Sequence, residues 1–178
     1  MTTRALPQDA RLDAVTSADF ATLAHLAETI WRDHYTPIIG KAQVDYMLAD
    51  RYTPAKLQQY LGANDRWLML LRVDGEAAGY CSYALTEIQG EIKVEQLYLL
   101  PGFRSMGLGA AMLNHIEQQA RLHGHAKLVL QVNKQNRSAI AFYRRMGFTI
   151  RKAAVFDIGG GYVMDDYVME KILAPKAA

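Results

Sequence analysis

One stretch constrains this chain more than any other. In LYLLPGFRSMGLGAAML, residues 97–113, an apolar strand-like run passes through Pro101-Gly102 into a glycine-bearing turn that opens a helix. Leu108, Met112, Leu113, Ile116 and Ala120 recur at helical spacing and Gly124 marks the stop, which predicts a helix over residues 105–123. The first N–H groups of a helix have no partner within it, and with the helix dipole they make a site for an anion. Gly107 and Gly109 lack a Cβ, so a diphosphate can approach the main chain there, and Arg104 adds a fixed positive charge. One such dipole contact at a surface is worth only about 0.3 to 1 kcal/mol, so binding needs several amides together with Arg104. Two familiar phosphate loops are excluded. A P-loop requires Lys and then Ser or Thr after its last glycine, but Leu108 and Gly109 follow Gly107; a dinucleotide loop requires a third glycine where Met112 stands.

Around this turn the sequence alternates helices and strands. Residues 10–15 read as a first strand, and Thr16 or Ser17 with Asp19 signals a helix start. Leu23, Leu26, Ala27, Ile30 and Trp31 then repeat at helical spacing until Tyr35-Thr36-Pro37 breaks the pattern. Helical stretches over residues 41–50 and from Thr53-Pro54 to near Gly62 follow. From Arg66 the period changes, and WLMLLRV, Asp74-Gly75 and EAAGYCSYALTEI read as a hairpin with a type I′ turn. Strands over residues 92–100 and 127–132 flank the long helix and are predicted to be parallel neighbours. A short helix over residues 137–146 and two strands over residues 149–157 and 162–171, joined through Gly159-Gly160-Gly161, complete the order. The fold class is α/β, with a mixed central sheet of about seven strands and four or five helices.

The 178 residues, 51% hydrophobic and 21% charged, suit one domain that buries about 70% of its unfolded surface and needs no disulfide or metal staple. That domain is expected over residues 9–173, between tails at 1–8 and 174–178. A net charge of +2, evenly spread, argues against a nucleic-acid partner. No apolar run approaches the roughly 18 residues of a membrane span. The start MTTRALPQDARLD has no apolar signal core, so a cytoplasmic protein with no membrane partner is expected. The lone Cys81 is read as packing within a strand, and His123-x-His125 lacks a third ligand, so no metal site is expected.

Arg104-x-x-Gly107-x-Gly109, placed after Leu-Tyr-Leu-Leu-Pro, resembles the acetyl-CoA pyrophosphate loop of the GNAT N-acetyltransferase superfamily, [QR]-x-x-G-x-[GA]. A second block, NRSAIAFYRRMGF at residues 136–148, is similar to that superfamily's N-x-x-A-x-x-x-Y-x-x-x-G-F segment. Met106 departs from the pattern: a basic or amide side chain often stands there, so a side-chain phosphate contact is lost while the backbone cradle remains. The ending DIGGGYVMDDYVMEK and the early IWRDHY and YML stretches look similar to bacterial diamine or polyamine acetyltransferases. The resemblance implies the GNAT acyl-CoA N-acyltransferase fold with splayed central parallel strands, acetyl-CoA as cosubstrate and a small-molecule amine as partner. Folds of this kind often pair as homodimers.

The resemblance also implies a site. Arg104, Ser105, Met106, Gly107, Leu108, Gly109 and Ala110 would hold the diphosphate. The pantetheine arm would pair like a strand with the main chain of Leu97, Tyr98 and Leu99, and Asn136 would orient that arm or cap its helix. Lys134, Arg137 or Arg144 would assist at the 3′-phosphate, and Tyr143 would protonate the departing thiolate. An alkylamine is about 3.4 pKa units from neutrality at pH 7, so its free base costs about 4.6 kcal/mol and a positioned carboxylate would help. Glu95, in the strand entering the loop and by alternation on the face of Leu97 and Leu99, is the candidate base. Tyr35, Tyr46, Glu87, Asp157 and Asp165 are candidates for holding the amine, and the triple glycine either admits substrate or makes a flexible turn. A diamine or polyamine is the first acceptor class, with a protein N-terminus, lysine, amino acid or aminoglycoside as alternatives. A noncatalytic acyl-CoA-binding sensor and a nucleotide-binding domain are the readings from other classes.

Overall fold

Leu23, Leu26, Ala27, Ile30 and Trp31 form the buried stripe of α1 (Phe20–Ile39), which runs through Pro37 instead of stopping before it. The proline forfeits a single hydrogen bond near the helix end, while Tyr35 and Ile39 pack on the core beneath and hold the last turn in place. Gly40 then closes the helix, its N–H reaching Thr36 O at 3.0 Å. In this computed structural model, which describes residues 6–173, α2 (Lys41–Arg51) and α3 (Pro54–Gln58) follow. The start of α3 is capped by the Thr53 side chain, which accepts from Lys56 N at 3.4 Å, but the helix ends at Gln58, short of Gly62. The expected tail at 174–178 and residues 1–5 lie outside the described residues, and Leu6 already packs against the core.

Among the described residues, seven strands form one sheet: β1 (Ala10–Ala14), β2 (Arg66–Val73), β3 (Glu76–Leu85), β4 (Glu91–Leu99), β5 (Lys127–Asn133), β6 (Thr149–Gly159) and β7 (Tyr162–Ile172). Their order is β1-β2-β3-β4-β5-β7-β6, and β4 with β5 is the parallel pair, as the intervening helix α4 (Leu108–Leu122) demands. α5 (Arg137–Arg145) precedes the last hairpin. Alternation along the strands feeds two cores. Leu71, Ile92, Val94, Leu128 and Leu130 pack under α4 and α5 with Met112, Ile116 and Phe148; Leu68, Leu70 and Tyr80 pack under α1 to α3 with Leu23, Ile30 and Met47. Each fully buried aliphatic side chain contributes roughly 1.5 to 3 kcal/mol, so the sheet is clamped from both sides. Among the described residues no helix is long and apolar enough to cross a membrane.

One irregularity positions everything that follows. β4 and β5 pair only from Glu91 opposite Lys127 to Val94 opposite Leu130, and then separate. On its other edge β4 carries a bulge: Ser82 faces Gln96 and Tyr83 faces Val94, which leaves Glu95 as an extra residue. A bulge bends its strand and shifts the alternation beyond it. Val94, Leu97 and Leu99 therefore pack on the α4 side, whereas Tyr98 packs beneath α1. Glu95 faces the turn that follows α3, where its Oε2 accepts from the Tyr60 hydroxyl at 3.0 Å, so it does not share the face of Leu97 and Leu99 that simple alternation predicts. A buried polar chain fixes the bulge: Ser82 Oγ donates to Gln96 Oε1 at 3.1 Å, Gln96 Nε2 donates to Tyr52 OH at 3.1 Å, and the Tyr52 and Tyr80 hydroxyls share a bond of 2.7 Å.

Candidate active site

Two cavities meet where β4 and β5 separate. One, of about 710 Å³, runs along Leu97, Tyr98 and Leu99 between the start of α4 and the face of α5. The other, of about 400 Å³, lies under the ends of α1 to α3 and is walled by β4, β5 and the final hairpin. Tyr35, Glu95, Gln96, Tyr98 and Gln131 line both and so mark the junction.

The larger groove carries the features of a diphosphate site. Gly107 caps α4 with φ +80, a left-handed conformation that favours glycine, and Ser105 is also left-handed at φ 65. The first bond of the helix runs from Ala111 N to Gly107 O at 3.0 Å, so the amides of Leu108, Gly109 and Ala110 precede the helical ladder. A Cβ at Gly109 would stand 3.6 Å from the Phe142 ring, an ordinary contact. The packing of the protein therefore does not require that glycine, which costs about 1 kcal/mol relative to alanine in a helix. Leu108 is buried in the core and the exposed Met106 side chain lies outside the groove, so neither brings a side chain to it. Arg104 lines the rim, its Nε donating to Leu99 O at 3.3 Å and one terminal nitrogen lying 3.4 Å from Asp33.

Asn136 is buried and caps α5, its Oδ1 accepting from Ala139 N at 3.3 Å and from Ser138 Oγ at 3.2 Å, while also lining the groove. Tyr143, about two turns along α5, reaches the same groove with its ring between Phe142 and Phe148, at centroid distances of 5.2 and 5.7 Å. Burial, and secondarily the Tyr98 phenol, push the Tyr143 hydroxyl above its ordinary pKa, so it keeps its proton at neutral pH. His34 on α1 also lines the groove; burial and then the Arg104 charge hold its pKa below the usual histidine range. Burial likewise raises the Tyr60 hydroxyl, hydrogen-bonded to Glu95, to about 12.

The proposed amine-holding residues separate into two groups. Tyr35 lies at the junction, its hydroxyl 3.4 Å from that of Tyr98. Tyr46 lies elsewhere. Its hydroxyl donates to Ile158 O at 2.9 Å, and its ring lies so close over the final turn that a Cβ at Gly159 or Gly160 would come within 2.6 or 2.7 Å of it. Gly159 and Gly160 thus make room for Tyr46, which latches α2 to the hairpin. Tyr46→Phe is expected to lose about 1 kcal/mol of unfolding free energy with kcat/KM unchanged, measured by denaturant melts and steady-state kinetics. Asp157 uses Oδ1 to accept from Gly159 N at 2.8 Å within the same turn and lines neither cavity. Asp165 is exposed and ion-paired with Lys134. Glu87 is exposed in the β3–β4 loop, at the end of β4 remote from Leu99. Surface acids on turns carry no sequence mark of which way they face.

Asp166, His34, Gln96, Gln131 and Tyr60 are among the cavity-lining residues that the sequence did not single out. A sign of Asp166 was present: it shares a strand face with Met164 and Val168, an acid on an otherwise apolar stripe. Cys81 is fully buried, and burial raises its thiol to about 12, which agrees with a packing role.

A parallel pair split at a bulge, helix-start amides at one mouth of the gap and a buried phenol over it define an acyltransferase that works on a coenzyme A thioester. The chain belongs to the acetyltransferase (GNAT) family, whose profile matches residues 24–148. An uncharacterized N-acetyltransferase of Mycobacterium tuberculosis is 28% identical over 137 residues, covering 77% of this chain and 86% of that protein. Streptothricin acetyltransferase of Streptomyces lavendulae is 33% identical over 86 residues, covering 48% of this chain and 46% of its own length. The crystal structure of PaiA N-acetyltransferase from Thermoplasma acidophilum in complex with coenzyme A shares the fold, with a TM-score of 0.78 at 21% identity over 92% of this chain and 98% of that one. The protein is thus an acetyl-CoA-dependent N-acetyltransferase.

Proposed function

We propose that this enzyme acetylates a small primary amine of the diamine or polyamine class, held in the 400 Å³ cavity, and that the amine attacks the acetyl-CoA thioester directly at the junction of the two cavities. The observation that carries the proposal is that junction itself: Glu95 stands where the acceptor space opens onto the groove that ends at Tyr143. A volume of this size suits a small molecule and not a folded protein surface. Glu95, directly or through water, takes the proton that the ammonium must lose before attack. The nitrogen forms a bond to the acetyl carbon as the carbon–sulfur bond breaks, Tyr143 donates its proton to the sulfur, and the second proton that the nitrogen sheds returns the phenol to its neutral form. The diphosphate rests on the first amides of α4 beside Arg104, and the open edge of β4 beyond Val94 takes the pantetheine arm as an added strand. Cys81, buried and unpaired, is compatible with a reducing cytoplasm.

Thiol release from acetyl-CoA, followed across a panel of amines, tests this. Turnover is expected with at least one small primary amine and with none of the tested peptides. Tight acetyl-CoA binding with no acceptor turnover would favour the sensor.

A further inference from the structure

Asp166 has no task in the chemistry above, yet it is the acid most out of place. It sits on β7, opposite Asn133 of β5 and Ala154 of β6, and only 4% of it is exposed. It lines the acceptor cavity but not the coenzyme groove, and its Oδ1 has no hydrogen-bond partner among the described residues. A buried polar group left unmatched costs about 1 to 3 kcal/mol, and more when charged, so an apolar residue here would give a more stable protein. Burial, with the neighbouring Asp165 charge, raises its carboxyl to about 6, against the opposing field of Lys93, Arg51 and Lys134. Lys93 lines the same cavity, and the other two cations have other engagements. Lys134 pairs with Asp165 and lies 5.7 Å from the Tyr167 ring centre, and Arg51 lies 5.5 Å over Trp31. Of the other two cations in the wall, Lys56 is held by Asp50 at 3.3 Å and Arg66 by Asp65 at 3.2 Å.

Of the three acids that line the acceptor cavity, Asp50 is paired with Lys56, and the other two hold different positions. Glu95 stands at the junction with the coenzyme groove; Asp166 stands on the far side, within the acceptor cavity alone. We propose that Asp166 binds the distal ammonium of a diamine acceptor while the other amine lies at Glu95, which makes it the residue that selects two-headed amines over one-headed ones. This rests on the reading of the cavity as an amine site and gives that site its specificity.

The test compares straight-chain diamines of three to six carbons with monoamines of the same lengths, in the wild-type enzyme and in Asp166→Asn. One charge-assisted hydrogen bond is worth about 1.5 to 3 kcal/mol, so the wild type is expected to favour the best diamine by about 10- to 150-fold in kcat/KM. In Asp166→Asn the preference should fall to near unity through the KM for the diamine, with the KM for acetyl-CoA unchanged. The wild-type ratio itself gives a second readout that needs no variant. As the pH drops below about 6 the carboxyl takes up a proton and the diamine advantage should fade. Monoamine turnover supplies the baseline for titration of the other groups acting on this carboxyl, Asp165, Lys93, Arg51 and Lys134. Equal rates with both amine types in the wild type would overturn the assignment, as would a diamine preference that survives in Asp166→Asn. So would a preference for an amino acid of matching length, which would give the cavity to Lys93 and Arg51. Absence of turnover with every amine would remove the amine-site reading as well, and is distinguished from the other outcomes by the missing thiol signal.

Discussion

Replacing Tyr143 by Phe is expected to lower kcat by about 100- to 10,000-fold, the usual span for removing a positioned proton donor, while acetyl-CoA still binds. The substitution deletes one oxygen and keeps the ring that packs between Phe142 and Phe148, so the melting temperature should move little. The expectation follows from where the phenol sits. Burial keeps it protonated across the working pH range, and its groove is the one that holds the glycine turn of α4. A donor that never loses its proton in the free enzyme should also leave no alkaline limb of its own in the pH profile near neutrality. Steady-state kinetics with the best amine, coenzyme titration by calorimetry and a thermal melt together decide the matter. A variant with normal kcat would remove Tyr143 from the chemistry, and one that fails to bind coenzyme would make it a wall of the groove instead.

Gly79→Ala should be the most damaging single methyl in the molecule. Gly79 lies on β3 opposite Leu99, and a Cβ there would stand 2.3 Å from the Tyr98 carbonyl oxygen and 2.8 Å from Leu99 Cδ2. The first of these atoms is backbone, so no rotamer change relieves the contact; β3 or β4 has to move. Overpacking typically costs 1 to 3 kcal/mol, and a backbone clash of this depth is expected at about 3 kcal/mol, or roughly 6 to 12 °C in melting temperature for a chain of this length. Because the displaced segment is the wall along which the pantetheine arm is proposed to lie, coenzyme affinity should fall with stability. A variant as stable as the parent would show that the two strands yield there at little cost.

Much of this architecture was legible in the letters, and the reasons differ from place to place. The turn at Gly107 and the cap at Asn136 could be read because main-chain geometry there depends on one residue type each, a left-handed glycine and a side-chain acceptor. The parallel pairing of β4 with β5 followed from the helix between them. Pro37 misled because packing of Tyr35 and Ile39 outweighed a local helix-breaking signal. The face of Glu95 could not be read from β4 alone, since a bulge is a property of two strands in register and its partner Ser82 lies 14 residues away from Gln96 in the chain. Tyr46, Glu87 and Asp157 have the side-chain chemistry of an amine site, and chemistry does not say which surface a side chain meets; Asp166 differs, since its place between Met164 and Val168 on one strand face marks it as an inward acid.

The short parallel seam between β4 and β5 has a mechanical meaning. It divides the sheet into two wings, and the walls of the acceptor space are shared between them, with Glu95 and Tyr98 on one and Gln131 and Asp166 on the other. A coenzyme arm seated in the gap beyond Val94, as proposed, would stand between the wings, with Glu95 on its own side and Asp166 across it.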